Sequence, residues 1–254
     1  MQKIIVNCGP CRSFLGQCLD SIKSQTYQEW EAYVTVDPCD DGTLDVATSA
    51  AANEPRINVV ANPRRLYSLA NLVRSIERCN ADPEDIIVTL DGDDWLYNDQ
   101  ALATIATAYR DYDCWMTYGS WISTLPGYGD RWPAYPKDTE NFRTEKWLAT
   151  AVRTWKRWLW DFVNDDDLRD ETRQYFRIGE DQAFMFPMIE MCGTAKAKHI
   201  SDVLMVYNTA SHDRSDHPMR DELLRNINLI RSKPPYARLK EKPQVAVQEL
   251  VAGR

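Results

Sequence analysis

Residues 88–95, VTLDGDDW, join a run of apolar and β-branched residues to a cluster of aspartates. Residues two apart in an extended segment point the same way, so Asp91 and Asp93 are expected to project together from a strand end. Gly92 between them leaves the backbone room to approach a ligand. Two carboxylates at one site suit Mg²⁺ or Mn²⁺, which proteins hold with few carboxylates and with substrate phosphates. The same letters also fit a solvated Asp-Gly turn, and the motif alone does not decide between the two.

The segments that precede this motif alternate between strand-like and helix-like patterns. Four runs are predicted as strands, namely residues 3–7, 31–37, 57–62 and 85–94. Helical patterns follow the first three, at Phe14 to Ile22, from near Leu44, and at residues 68–79. This alternation with short connections predicts an α/β fold with a Rossmann-like, doubly wound and mainly parallel sheet. Ligands bind such sheets beyond the carboxyl ends of the strands, where this chain carries NCGPC, DPCDDGT, NPRR and DGDDW.

The second half of the chain has a less regular pattern. We predict an ordered surface loop at residues 123–136, a tryptophan-rich helix within 144–162 and an apolar helix at 181–191. Residues 199–208 are expected to form a last pair of short strands. From Ser232 onward the composition is that of a linker, so residues 232–254 are predicted to be a tail or linker.

Composition excludes several classes of protein. The chain has 254 residues, 44% hydrophobic and 27% charged, as expected for a soluble globular domain. Its net charge of −8 argues against a surface that binds polyanions. No apolar run is long enough to span a bilayer and no secretory leader is evident, so a cytoplasmic location is expected. Seven scattered cysteines argue against a disulfide framework, and their spacing argues against a zinc site.

Six spaced motifs together resemble the family 2 glycosyltransferases of GT-A fold. They are residues 14–37, DPCDDGT, NPRRLYSLAN, the DxD-like DGDDWL, the Glu-Asp-containing GEDQAFMFPMIEM, and HISDVLMVYN. The resemblance runs over residues 3–217, with the motifs in the family's order, and is therefore more specific than one tripeptide.

This resemblance implies an inverting transfer of a sugar from a nucleotide-diphospho-sugar to an acceptor hydroxyl, assisted by Mn²⁺ or Mg²⁺. A UDP-sugar is the favoured donor, followed by dTDP and GDP sugars. A single domain is expected over residues 1–231, with residues 1–114 binding the donor and 115–231 shaping the acceptor side. The acceptor is left open among a glycan, a lipid-linked saccharide and a protein. A nucleic acid is least favoured by the acidic charge, but the cluster of Arg153, Lys156 and Arg157 keeps it open.

The resemblance assigns donor-binding roles to residues of the first half. Asp37 matches an aspartate that hydrogen-bonds the nucleobase, although it could simply cap a turn. Arg65 falls where a basic residue faces the donor phosphates, with Arg64 as its rival, and either could be a solvated arginine. Cys8 and Pro10 lie in the loop that borders the nucleobase, where the family has an aromatic residue that this chain lacks.

The divalent metal is assigned to the DGDD segment by the same resemblance. Asp93 is the expected main ligand, Asp91 binds ribose or metal, and Asp94 supports them. In some relatives a residue after the last strand completes the metal shell or contacts the diphosphate. That role is open here to His212, Arg214 or His217, each of which could equally be a solvated loop residue, and His212 is taken as the metal ligand.

Asp181 resembles the family's catalytic base, which takes a proton from the acceptor hydroxyl on the face opposite the diphosphate. Glu180 precedes it at the predicted start of a helix, and the alternative is a pair of ordinary acids at a helix N-terminus. Trp155, Trp158 and Trp160 could stack on sugar faces, but core packing is the more common role for such residues.

Two other functions compete with the transferase. Cys8-Gly9-Pro10-Cys11 has the spacing of a thiol–disulfide oxidoreductase, and a cysteine at a helix N-terminus is often reactive. A thioredoxin-like fold would leave DGDDW and the Glu-Asp motif unexplained. The remaining alternative is a catalytically inactive module that binds nucleotides or carbohydrates, against which the presence of Asp91, Asp93 and Asp181 argues.

Overall fold

The structure is a computed structural model that describes residues 1–125, 129–211 and 219–243. Within these residues the strands are β1 (Gln2–Cys8), β2 (Trp30–Val36), β3 (Ile57–Ala61), β4 (Ile86–Asp91), β5 (Trp95–Leu96), β6 (Met116–Ser123), β7 (Gly129–Asp130), β8 (Arg153–Lys156) and β9 (Ala197–Tyr207). The α-helices are α1 (Arg12–Lys23), α2 (Thr43–Asn53), α3 (Tyr67–Arg78), α4 (Ala101–Asp111), α5 (Arg157–Trp160), α6 (Glu180–Lys196) and α7 (Arg220–Ser232). All the strands belong to one sheet, in the order β3-β2-β1-β4-β8-β6-β9-β5, with β7 on β6.

The N-terminal half of the sheet is parallel throughout. Val6 of β1 lies between Val34 of β2 and Leu90 of β4, and β2 pairs in parallel with β3. Helices cover the sheet, so these strands are buried and have nearly continuous apolar sequences. Ile4 and Val88, for example, have no exposed surface. The predicted α/β class and Rossmann-like order are confirmed. The first three predicted strands and the helices behind them form within two residues of their expected limits, whereas the fourth strand ends at Asp91, three residues before its expected end.

The C-terminal half of the sheet is mixed. Strand β8 is antiparallel to both β4 and β6, whereas β6 and β9 are parallel. Residues 199–208 were expected to give two short strands, but β9 is one strand of eleven residues. Its register with β6 shifts on either side of Ser120. Such an irregularity bends the strand, so one continuous strand can form here in place of two.

The predicted tryptophan-rich helix is wrong for most of its length. Only Arg157–Trp160 is α-helical, and residues 153–156 form strand β8. Thr154 of this strand lies opposite Val88 on β4 and Thr117 on β6, and it is fully buried. The two neighbouring strands offer backbone partners that a helix here would leave unpaired, and this outweighs the helical spacing of the aromatic residues.

The prediction that the tryptophans serve the core is confirmed for Trp155 and Trp158, which are 0% and 3% exposed. Trp160 stacks on Trp155 with ring centroids 5.7 Å apart and packs against the same core. None of these three rings lines the cleft described below.

Helix α6 begins at Glu180, as predicted, and crosses the core with residues 182–193 buried. The segment after α7 lies against it. The Tyr236 amide donates to Glu190 Oε2 at 3.0 Å, and the Leu239 amide donates to the Met191 carbonyl at 2.9 Å. The first part of the expected tail therefore contributes to the domain surface, and residues 244–254 lie outside the described residues. In the described parts of the chain, every helix is too short or too polar to cross a bilayer.

Candidate active site

A cleft of about 1140 Å³ opens at the carboxyl ends of β1, β2 and β4, where the strand order predicts a ligand. Residues from both halves of the chain line it. Among them are nine of the predicted site residues, namely Cys8, Pro10, Asp37, Arg65, Asp91, Asp93, Asp94, Glu180 and Asp181. Arg64 is exposed and does not line the cleft. The fold thus brings the DGDD segment and the Glu-Asp pair, about ninety residues apart in sequence, to one cavity.

The DGDD segment forms a tight turn at the end of β4. The Gly92 amide donates to the Asn7 carbonyl at 2.9 Å, which ties the turn to β1, and the Asp94 amide donates to the Asp91 carbonyl at 3.0 Å. Asp91 is exposed, whereas Asp94 is buried and accepts the Asn208 amide at 2.8 Å. Asp94 therefore links this turn to the end of β9.

Negative charge accumulates at this turn. Burial, followed by the charges of Asp91 and Asp93, raises the pKa of Asp94 to about 9. Within the described residues no three His, Cys, Asp or Glu side chains form a metal cluster, so Asp91 and Asp93, which both line the cleft, do not belong to a closed cage. Hard oxygen donors in that small number fit Mg²⁺ or Mn²⁺ completed by phosphate and water.

The Cys8–Cys11 segment lies directly under the turn. Cys8 and Cys11 are 2% and 7% exposed, and both are free thiols. A hydrogen bond with Cys11, together with burial, raises the pKa of Cys8 well above its ordinary value. A reactive thiol needs the opposite shift, because the thiolate is the nucleophile. The structure therefore favours a packing role for this pair over a redox role.

Asp37 lies at the end of β2 and organises the start of α3. Its carboxylate accepts the Leu66 amide at 3.1 Å, the Tyr67 amide at 2.9 Å and Asn62 Nδ2 at 2.8 Å. The segment that it caps is the start of α3, rather than the nearer turn at residues 38–43. The guanidinium of Arg65 packs 4.6 Å from the Tyr67 ring at the cleft, so Asp37 also fixes the backbone that carries this cation.

Three hydrogen bonds hold the carboxylate of Asp181 at the start of α6. Oδ2 accepts Nε1 of Trp147 at 3.1 Å and Nη2 of Arg153 at 3.0 Å, and Oδ1 accepts the Gln182 amide at 2.8 Å. The Arg153 and Asp181 side chains are 19% and 28% exposed, so this ion pair is partly shielded from water. Arg153 belongs to β8, which pairs with the strand that carries Asp91, and its positive charge also acts to lower the pKa of Asp94.

Glu180 precedes Asp181 and is half-buried. Burial is the main cause that raises its pKa to about 7, and the charges of Asp181 and Asp91 add to the rise. A substantial fraction of Glu180 is therefore protonated at neutral pH.

Among the aromatic side chains that line the part of the cleft formed by the second half of the chain are Trp121, Trp132, Trp147 and Tyr207, which we call the aromatic wall. The Trp121 ring centroid lies 5.9 Å from that of Trp132 and 5.3 Å from that of Tyr207. None of the four was singled out from the sequence. The available signal was the aromatic content of the loop at residues 123–136, which contains Trp132.

Of the remaining predicted residues, Arg153 lines the cleft, whereas Lys156 and Arg157 do not. Each member of this predicted basic cluster is paired with a carboxylate. Arg153 pairs with Asp181, Lys156 pairs with Glu84 at 2.9 Å, and Arg157 pairs with Asp161 at 2.5 Å. The candidate residues after the last strand, His212, Arg214 and His217, lie outside the described residues.

Sequence comparison identifies relatives of known type. The sequence profile of the family described as Glycosyl transferase family 2 matches residues 4–161, more than half of the chain. EpsE of Bacillus subtilis (strain 168), which carries a provisional glycosyltransferase name, is 32% identical over 92 residues. That alignment covers 36% of this chain and 32% of EpsE, so the match spans about a third of this curated relative.

Solved structures share the fold. S. aureus TarS 1–349 in complex with UDP superposes with a TM-score of 0.65 and 17% identity, over 90% of this chain and 64% of that chain. The mannosyltransferase PcManGT from Pyrobaculum calidifontis, in complex with GDP-Man and Mn²⁺, has a TM-score of 0.62 and 20% identity, over 92% and 65%. These likenesses establish the GT-A fold. Together with the profile match, they lead to the conclusion that this chain belongs to glycosyl transferase family 2.

Proposed function

We propose that this protein is an inverting, metal-dependent glycosyltransferase that moves a sugar from a nucleotide-diphospho-sugar to an acceptor hydroxyl. One observation carries the proposal. Asp91 and Asp93 line the same cleft as Asp181, which meets the requirement for a metal-assisted leaving group and a base within one cavity.

Asp93 is the proposed main metal ligand, and Asp91 binds the metal or the ribose. Mn²⁺ or Mg²⁺ held there would neutralise charge on the departing diphosphate.

The nucleotide is proposed to contact Asp37, Arg65, Cys8 and Pro10. The carboxylate oxygens of Asp37 already accept hydrogen bonds from the protein. We therefore propose that Asp37 orders the backbone next to Arg65 as well as bordering the nucleobase. UDP is the favoured nucleotide, and the complexes of TarS with UDP and UDP-GlcNAc support it. The GDP-Man complex of PcManGT supports a GDP-sugar as the next candidate.

Asp181 is the proposed general base. It would take the proton of the acceptor hydroxyl while the oxygen attacks the anomeric carbon opposite the diphosphate, which inverts the configuration. Glu180 is the second candidate, because its pKa of about 7 also suits proton transfer near neutral pH. Its protonated form can instead donate a hydrogen bond within the cleft.

Residues 115–231 are proposed to form the acceptor side, with residues 1–114 binding the donor. The aromatic wall supports a carbohydrate acceptor, since indole and phenol rings offer apolar faces to the C–H surfaces of sugars. A free or lipid-linked glycan is favoured over a protein. Nucleic acid is disfavoured, because each residue of the basic cluster proposed for it pairs with a carboxylate.

A thermal-shift screen of nucleotide sugars, with and without Mn²⁺, tests the donor. A ligand that binds the folded state raises the melting temperature, and the proposal expects the largest rise with a UDP-sugar plus Mn²⁺. Transfer is then measured with that donor and a panel of oligosaccharides. Asp181→Asn should retain nucleotide binding and lose transfer. Normal turnover by this variant would refute the base assignment.

The two alternatives make different predictions. A thiol–disulfide oxidoreductase would reduce insulin, and Cys8→Ser/Cys11→Ser would abolish that activity. We expect no insulin reduction by either protein, because both thiols are buried and the pKa of Cys8 is raised. An inactive binding module would bind a nucleotide tightly and transfer no sugar from any donor.

A further inference from the structure

The two oxygens of the Asp181 carboxylate are engaged unequally. Oδ2 accepts two hydrogen bonds, from the Trp147 indole and the Arg153 guanidinium, whereas Oδ1 accepts one, from the Gln182 amide. A carboxylate oxygen has two lone pairs in its plane. Within the described residues, Oδ2 is therefore saturated and Oδ1 retains one lone pair.

The two side-chain donors are themselves held in place. The Trp147 ring packs edge-on against Phe186 of α6, with centroids 5.0 Å apart. Nε of Arg153 donates to the Ala149 carbonyl at 3.3 Å, and its backbone carbonyl accepts Thr89 Oγ1 of β4 at 3.4 Å. Trp147 and Arg153 lie 34 and 28 positions before Asp181 in the sequence, and they belong to different kinds of secondary structure. This arrangement restricts rotation of the carboxylate about its χ2 torsion.

We propose that Trp147 and Arg153 are positioning residues that fix the Asp181 carboxylate and make Oδ1 the atom that accepts the acceptor proton. This inference rests on the proposed function. In the step, the acceptor O–H proton moves to Oδ1 while the acceptor oxygen bonds to the anomeric carbon. The bond from that carbon to the diphosphate oxygen breaks, and its electron pair leaves with the diphosphate. No oxidant, reductant or further reactant is required.

Trp147→Phe isolates the indole donor, because it removes N–H and keeps an aromatic ring. We expect kcat to fall about tenfold, the usual effect of losing one hydrogen bond to a charged group. The donor KM and the melting-temperature rise with UDP and Mn²⁺ should stay within twofold of wild type, since the donor site is intact. Trp160→Phe is the matched control, because that ring lies outside the cleft, and it should leave kcat unchanged. A wild-type kcat for Trp147→Phe, or a loss confined to the donor KM, would overturn its assignment.

Arg153→Ala tests the guanidinium by chemical rescue. We expect kcat to fall about a hundredfold, because a partly shielded charge pair loses one partner. Millimolar guanidinium should restore part of that activity by occupying the vacated site, and it should not stimulate the control Arg157→Ala. A purely structural role for Arg153 would lower the melting temperature and give no rescue, and that result would overturn the proposal.

The outcome can be separated from failure of the proposed function. If the wild-type protein transfers no sugar, or if Asp181→Asn is fully active, the proposed function or its base is wrong. If Asp181→Asn is inactive while Trp147→Phe and Arg153→Ala both match wild type, the base stands and the positioning role falls.

Discussion

Gly92 lies in direct contact with the thiol of Cys8, and a Cβ atom added at Gly92 would be 2.6 Å from that sulfur. The same Cβ would lie 3.1 Å from Cys11 Sγ and 3.2 Å from the Asn7 carbonyl. The two cysteines thus fill the space beneath the acidic turn. This contact gives the Cys-Gly-Pro-Cys segment a structural explanation, in which small buried side chains support the turn that carries Asp91 and Asp93.

Gly92→Ala is therefore expected to destabilise the protein by about 1–3 kcal/mol, the usual cost of overpacking a filled site. Urea unfolding measures this change, and the thermal shift with UDP and Mn²⁺ should weaken in parallel. Gly16→Ala is the control, because nothing lies within 4 Å of its added Cβ and alanine favours the helix. Adding Cys8→Ala to Gly92→Ala should recover part of the loss. Equal stabilities for the two single glycine variants would contradict this account of the turn.

Glu180 predicts a pH dependence of stability. Its pKa rises from 4.5 to about 7 on folding, so the folded protein binds more protons between these values. The contribution of this group to the free energy of unfolding therefore falls as pH rises from about 4.5 to 7. Glu180→Gln has no such loss, so it should match wild type near pH 4.5 and exceed it by about 1–3 kcal/mol at pH 8.

Denaturant titrations in EDTA at several pH values measure the Glu180→Gln difference without interference from metal. The exposed Glu171 provides a control, and Glu171→Gln should differ from wild type by a constant amount across this range. A Glu180→Gln advantage that grows toward low pH would contradict the sign derived from the raised pKa.

The ion pair of Arg143 and Glu190 connects the segment before β8 to α6. Its N–O distances are 2.6 and 2.9 Å, and the side chains are 4% and 3% exposed. Arg143→Met leaves a buried carboxylate without its cation, and we expect a loss of about 3–5 kcal/mol in urea unfolding. Arg110→Met breaks a pair that is 69% and 47% exposed, and it should change stability by less than about 1 kcal/mol. Similar losses for both variants would show that burial does not govern the Arg143 pair.

Trp132 tests the aromatic wall as the acceptor site. Trp132→Ala should raise the KM for an oligosaccharide acceptor about three- to tenfold, in line with the free energy of one aromatic contact. The donor KM and the rate of donor hydrolysis should not change, since water replaces the acceptor in that reaction. Tyr112→Ala, at an exposed ring outside the cleft, is the control. A loss of donor hydrolysis equal to the loss of transfer would place Trp132 in the donor site instead.

The sequence predicts the parallel half of the sheet well, because strands buried on both faces have continuous apolar sequences. Ile4, Ile5 and Val6 are all fully buried, and the same holds for Ile87 and Val88 on β4. The polar residues that follow these strands then necessarily meet at one edge of the sheet. Asp91, Asp93 and Asp37 could be placed on that basis, and the resemblance to the family added Asp181.

The surroundings of Asp181 could not be predicted in the same way. Trp147 and Arg153 belong to a segment whose aromatic spacing favours a helix, but β8 forms there because β4 and β6 provide hydrogen-bonding partners on both sides. Trp147 and Arg153 lie 34 and 28 residues from Asp181 in the sequence, so no local sequence pattern predicts their contacts with it. The docking of Tyr236 and Leu239 on α6 likewise depends on tertiary contacts that a linker-like composition does not reveal.

The central claim is that Asp93 holds a divalent cation against the donor diphosphate. Isothermal titration of UDP into wild type and Asp93→Ala, each with Mn²⁺ and with EDTA, tests it most directly. We predict that wild type binds UDP at least tenfold more tightly with Mn²⁺ than with EDTA, and that Asp93→Ala loses this difference while remaining folded. Equal UDP affinity for wild type in Mn²⁺ and EDTA, or an undiminished Mn²⁺ effect in Asp93→Ala, would contradict the account.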